Sequence, residues 1–134
     1  MSRQDLARKI CDKSMMRVPL PAIYLFRIKE IQQMHILVKY GLTRNLYRRT
    51  IEHSKTYGSH ISLECHSYVD PFHLLDAERN VRSFFKSSGW HIDYNTCTKL
   101  SYPKSKELAI VPISELEHVM ILYENIGKFY QKQI

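Results

Sequence analysis

The chain is poor in the residues that break, staple or anchor a fold. Four glycines and five prolines among 134 residues exclude collagen-like and low-complexity architectures, which depend on those residues. Three cysteines, Cys11, Cys65 and Cys97, are an odd number without paired spacing. That excludes a disulfide framework and fits a reducing compartment. No apolar run approaches a membrane span, and Met1-Ser2-Arg3-Gln4-Asp5 lacks the apolar stretch of a secretion signal. The expectation is a soluble intracellular protein of the cytoplasm or nucleus, with no membrane partner. Acidic residues are also in deficit, thirteen against twenty Lys and Arg, a net charge of +7. Such a surplus favours polyanions through counterion release, although basic proteins of many kinds share it. A zinc site assembled from Cys65, His66, His73, His91 and Cys97 lacks the paired ligands, roughly two to four residues apart, of zinc ribbons.

What is present is enough apolar content, 44%, for one domain with its own core. Residues 2–14 read as a short helix with Leu6 and Ile10 on one side, ended by Pro19-Leu20-Pro21, so residues 1–21 are expected to form a leader. Ala22 to Lys29 is β-branched and aromatic and reads as a strand. A polar turn over 30–33 leads to a second strand over 34–40, stopped by Gly41. Thr43 is positioned to cap a helix that runs to Tyr57 and closes at Gly58. Residues 59–69 read as a third strand. Asp70-Pro71 opens a second helix ending near Lys86. A looser stretch spans 90–112, and Ser114 with Glu117 predicts a capping box on a last helix. The expected fold is α/β: a small three-stranded mixed or antiparallel sheet in a β-β-α-β-α core, flanked by helices, plus the C-terminal helix. The expected boundaries are 22–98 for the core domain and 99–134 for an extension whose helix packs on it. That helix carries Leu116, Met120, Ile121, Tyr123, Ile126 and Tyr130 over two adjacent faces, and a homodimer contact is the alternative use of this surface.

Two helices hold residues that a scaffold does not need. Leu74, Ala77, Val81 and Phe85 form the buried stripe of the second helix, and Glu78 falls inside it. An inward carboxylate is costly unless it is paired or binds a cation. An arginine partner and a metal ion are equally good answers from spacing alone. On the first helix, Leu46, Tyr47, Thr50 and Ile51 mark the packed side, and Arg49 and His53 form an i,i+4 pair on its shoulder. A solvated flank is the commoner fate of such a pair.

Taken together, Ala22-Ile23-Tyr24, Lys39-Tyr40-Gly41, Arg49, His53, Glu78 and Asn95 resemble in order and spacing the catalytic half of the GIY-YIG nuclease superfamily. The match covers residues 22 to 95. Asn45-Leu46-x-x-Arg49 is most similar to the compact, divergent branch of phages and large DNA viruses. Ala22 replaces the first motif's glycine, and Lys39 stands where the second tyrosine is usual. Tyr40 is its neighbour but should face the other side of the sheet unless a bulge re-aims it.

The resemblance implies a divalent-metal-dependent endonuclease acting on nucleic acid, with DNA the favoured substrate, in a virus- or phage-infected cell. It implies that Glu78 holds a single Mg²⁺ or Mn²⁺, and that Tyr24 orients or deprotonates the attacking water beside Lys39 and Arg49. Arg49 would also steady the phosphate, His53 would move a proton, and Asn95 would support the metal side. Arg44, Arg48 and Lys55 would meet the nucleic-acid backbone, with Lys99, Lys104 and Lys106 as a second basic group. The alternatives are a binding module of the same fold without turnover, and a small interaction protein. In the latter, Tyr24, Arg49, His53, Glu78 and Asn95 would lie apart.

Overall fold

The β-branched and aromatic run that opens the core is the middle of a sheet. In the computed structural model, which describes residues 21–93, 96, 99–102 and 105–131, β1 (Ala22–Glu30) pairs antiparallel with β2 (His35–Thr43) on one side and β3 (Ser62–Tyr68) on the other. The expected leader helix and Asn95 lie outside the described residues. So do Lys104, Cys11 and Cys97.

The α/β class holds, with one addition. The sheet has four strands in the order β3-β1-β2-β4, all antiparallel, because β4 (Leu108–Pro112) pairs with the outer edge of β2. This strand lies in the stretch read as loose. Leu-Ala-Ile-Val-Pro is five residues long and buried on both sides, so it lacks the alternation that marks a half-exposed strand. It brings part of the 99–134 segment into the sheet itself.

Helices cover both faces. On one, α1 (Leu46–Tyr57) packs through Leu46 and Tyr57 against Tyr24, Phe26, Ile28 and Leu37. On the other, α2 (Leu74–Ser87) and α3 (Leu116–Phe129) bury Leu74, Val81, Phe85, Val119 and Tyr123 against Ile23, Leu25, Val38 and Tyr40. The period of two along each central strand therefore feeds two separate apolar layers. Gly127 lets α3 approach closely, since a Cβ there would stand 2.7 Å from the Cβ of Ser67 on β3. Among the described residues no helix is long and apolar enough to cross a membrane.

Several boundaries differ from expectation for local reasons. Gly41 does not stop β2, which continues to Thr43. Asn45, not Thr43, caps α1: its side chain accepts from the Arg48 N–H at 3.0 Å, while Thr43 Oγ1 accepts from the Asn45 N–H. Gly58 closes α1 as predicted, with φ of 106°. Asp70 accepts from the Phe72 N–H and opens a short 3₁₀ turn (Pro71–His73) that leads into α2. Ser114 does not cap α3. A 3₁₀ turn (Ile113–Glu115) precedes that helix instead, with no side-chain cap.

Gly41 is required by packing, not by its backbone angle. It pairs with Tyr24 across β1 and β2, and a Cβ there would lie 2.6 Å from the Tyr24 hydroxyl oxygen. Gly41→Ala is expected to lower the stability to urea unfolding by about 1–3 kcal/mol, the usual cost of overpacking. The same substitution in a Tyr24→Phe background should cost clearly less, because the nearest clashing atom is gone.

Candidate active site

The order in which the strands end creates the site. β4 pairs with β2 only from His35↔Pro112 to Lys39↔Leu108, and one further backbone bond joins the Tyr40 N–H to the Glu107 carbonyl at 3.1 Å. Beyond that point, Gly41 to Thr43 has β1 on one side and, among the described residues, no strand on the other. Side chains from both faces of the sheet meet around this open edge. They enclose a cleft of about 460 Å³ lined by Tyr24, Lys39, Arg49, Glu78, Arg82 and Glu107, with Leu42, Leu75 and Arg79 completing it.

On the α1 side the central feature is a tyrosine–histidine pair. The Tyr24 hydroxyl lies 2.8 Å from His53 Nε2, within a cluster that includes Phe26 and Tyr57. His53 is buried, not on the helix shoulder. The inward face of α1 runs through Leu46, Thr50, His53, Ser54 and Tyr57, so His53 and Ser54 take the places on it that were expected for Tyr47 and Ile51. Burial, then the charges of Lys39 and Arg49, hold its pKa down at about 3. The imidazole is therefore neutral near pH 7. Burial likewise pushes the Tyr24 phenol well above its usual range, against the pull of Arg49. Positive charge was expected to make this phenol a base, but desolvation wins, and Tyr24 is a protonated hydroxyl in the free protein.

On the other side of the cleft, four charged groups form a chain. Lys39 is only 7% exposed and donates to Glu107 Oε2 at 2.7 Å. Glu107 Oε1 accepts from Arg82 Nη2 at 3.0 Å. The same nitrogen lies 2.9 Å from Glu78 Oε1, in an ion pair whose alignment leaves that buried oxygen without a hydrogen bond. Burial raises the Glu78 pKa, and the charge of Arg82 works against the rise. Glu78 does lie in the apolar stripe of α2, as its spacing predicted. Both readings of it have substance, because it has an arginine partner and it faces the cleft.

Arg82 and Glu107 were not identified from the sequence. Arg82 was findable as the i+4 neighbour of a buried glutamate. Glu107 lies in a segment without periodicity, and only the burial of Lys39, which demands an anion, pointed to it.

The other expected residues divide. Arg49 lines the cleft, pairs with Glu52 at 3.5 Å, and also lines a neighbouring recess of about 290 Å³ with Arg44 and Arg48. Lys55 is exposed near the end of α1 and lines neither space. Lys99 and Lys106 are exposed. Tyr40 faces the α2 layer, stacks on Phe85 and has its hydroxyl 2.7 Å from His91 Nδ1. The register shifts of β1 fall at Arg27/Lys29 and Leu25/Phe26, so no bulge turns Tyr40 toward Tyr24. Burial pushes its phenol up to about 12, with Arg82 opposing and Glu107 and Glu78 adding. Tyr40 thus backs the charged chain from behind the cleft.

A metal ion fits here only in a sparse form. Among the described residues no group of three or more His, Cys, Asp or Glu could hold one. Glu78 is nonetheless a largely buried carboxylate that lines the cleft. Mg²⁺ is commonly held by one or two carboxylates and completes its shell with water and substrate phosphate. The donor set suits that mode and no tighter one. Cys65 is free, and burial pushes its thiol up to about 12, which makes it an inert core group.

No protein-family model matches the chain, and no solved structure matches it. Three uncharacterized proteins of Acanthamoeba polyphaga mimivirus are similar to it. One is 31% identical over 130 residues, which is 83% of this chain and 26% of that protein. A second is 30% identical over 86 residues, covering 52% and 15%. A third is 24% identical over 147 residues, covering 97% and 28%. The chain spans between 15% and 28% of the length of these relatives.

The state of His53 sets a pH dependence. Its pKa is about 3 when folded and near 6.5 when unfolded, so between those values the unfolded chain binds the extra proton. Stability should fall as pH drops through this window, at a limiting slope of about 1.4 kcal/mol per pH unit. Glu78, with its raised pKa, acts with the opposite sign, and its contribution is lost as pH rises. Urea unfolding from pH 7 to pH 4 should therefore show a shallower acid decline in His53→Asn than in the wild type.

Proposed function

We propose that this protein is an endonuclease that hydrolyses phosphodiester bonds of nucleic acid, DNA in the first instance, with the help of Mg²⁺ or Mn²⁺. One observation carries the reading. Tyr24 with His53 behind it, Lys39, Arg49 and Glu78 come from four separate elements and converge on one open cleft. An interaction protein with accidental motif matches gives no reason for that convergence.

The residues suggest a division of labour. The Tyr24 hydroxyl accepts a hydrogen bond from the attacking water and donates its own to neutral His53, in the tautomer protonated at Nδ1. As the water oxygen bonds to phosphorus, the bond from phosphorus to the leaving oxygen breaks; the water's proton passes through Tyr24 to His53 Nε2, and the leaving oxygen takes a proton from solvent water. A pKa near 3 makes His53 a weak acceptor in the free protein. A bound phosphate offsets the Lys39 and Arg49 charges that help to hold it low, so the imidazole gains basicity once substrate is present. Arg49 grips the phosphate with its planar guanidinium. Lys39 adds fixed positive charge where negative charge develops. Glu78 would hold the metal ion, which when bound supplies Lewis-acid polarisation of the scissile phosphate. Tyr40 acts from behind as a support. Arg44 and Arg48 extend the basic surface along the backbone without reading bases.

A second reading has its own support. Lys39 takes the second tyrosine's position, and Arg82 and Lys39 engage both cleft carboxylates. These are features of a module that binds nucleic acid without cutting it. The mimivirus relatives fit a virus-encoded protein under either reading.

Incubating labelled plasmid and single-stranded DNA with Mg²⁺ or Mn²⁺ separates the two. Cleavage by the wild type, reduced at least about 100-fold in Glu78→Ala, is the expected outcome. DNA binding with no cutting by either protein would favour the binding module. Equal cutting by both would remove the assignment of this cleft.

A further inference from the structure

The Glu107 carboxylate spans two cations, with one oxygen on Lys39 Nζ at 2.7 Å and the other on Arg82 Nη2 at 3.0 Å. We propose that Lys39 and Arg82 form a phosphate subsite that Glu107 fills in the free protein, and that a nucleic-acid phosphate takes the place of this carboxylate on binding. The inference rests on the function proposed above only for the identity of the molecule that carries the phosphate.

Three observations support the exchange. First, the acceptors match. Two carboxylate oxygens on two separate cations is the arrangement that the two non-bridging oxygens of a phosphodiester would reproduce. Second, the subsite cannot stand empty. The Lys39 side chain is 8% exposed, and a buried ammonium without a counter-anion is strongly unfavourable.

Third, the partners differ in freedom. Lys39 is held in the register of β2 between β1 and β4. Arg82 stands on α2 and keeps Glu78 as a second partner when Glu107 leaves. Glu107 lies in a bend just before β4, and its side chain is 29% exposed. The glutamate can therefore turn toward solvent while both cations stay in place. The internal anion keeps the cleft folded without substrate, and the cost is a weaker hold on the phosphate that replaces it.

The test is binding of a fluorescein-labelled 12-nucleotide single-stranded DNA at fixed salt in EDTA, where a metal-dependent enzyme cuts nothing. Glu107→Gln should bind about tenfold more tightly than the wild type, the worth of roughly one charge-assisted contact. Glu117→Gln, which removes the same charge outside the cleft, should change affinity little. Adding Lys39→Met to Glu107→Gln should abolish the gain. Equal or weaker binding by a folded Glu107→Gln, or an equal gain in Glu117→Gln, overturns the proposal.

Should Glu107→Gln not fold, the wild type decides. On titration with inorganic phosphate, the Glu107 side-chain carboxyl and Lys39 Cε carbon resonances must shift together, and resonances that do not move overturn it. Tight binding with no cleavage in metal would remove the nuclease reading and leave the subsite standing. Metal-dependent cleavage with an unchanged Glu107→Gln affinity would do the reverse.

Discussion

The antiparallel register of β1 and β2 is the constraint on which the rest of the cleft depends. It sets Tyr24 opposite Gly41, which opens the space that the tyrosine ring and hydroxyl occupy. The same register puts Lys39 on the face that carries Tyr24 and leaves Tyr40 on the other. A slip of one residue would exchange these faces and bury the wrong set. Two features fix it: the apolar layers on both sides of the sheet, and the bond from the Tyr123 hydroxyl to the Tyr24 carbonyl at 2.7 Å. The helix behind the sheet thus holds the backbone of the residue whose side chain faces α1.

The second determinant is electrostatic. Lys39, Arg82, Glu107 and Glu78 are drawn into a partly desolvated cleft, where no charge is stable alone. Each has an opposite neighbour within 3.0 Å, so the group stands or falls together. Removing Glu107 leaves Lys39 without its anion, and removing Arg82 leaves Glu78 without its cation, so changes at those two positions will be felt in folding as well as in ligand binding. The neutral pair on the other wall, Tyr24 and His53, is held uncharged by burial first. One wall therefore carries charge and the other carries exchangeable protons, a combination suited to chemistry on a phosphate.

Much of this was legible in the sequence. The hairpin, both main helices, the buried stripe of α2 and the intrusion of Glu78 into it followed from periodicity and capping residues. Asp70-Pro71 marked a helical start because an acceptor followed by proline suits little else. Other features were not legible. β4 is short and buried on both faces, so it shows no alternation. The capping box at Ser114 failed because a 3₁₀ turn occupied that place. His53 appeared on a shoulder because Tyr47 and Ile51, apolar by type, drew the expected face toward themselves, whereas the inward face takes in His53 and Ser54, polar residues that hydropathy does not mark as buried. The pairing of Lys39 with Glu107 joins residues 68 positions apart, and no local pattern encodes such a contact. Nor does local pattern report that β2 outruns β4, which opens the cleft.

The measurement that bears most directly on the account is backbone and side-chain NMR shift mapping of the protein against a short, uncleavable phosphorothioate DNA. The account predicts the largest perturbations at Tyr24, Lys39, Gly41, Arg49 and Arg82, on both walls of one cleft. Perturbations confined to the far side of the molecule, around α3 and β3, or none at saturating DNA, would contradict it.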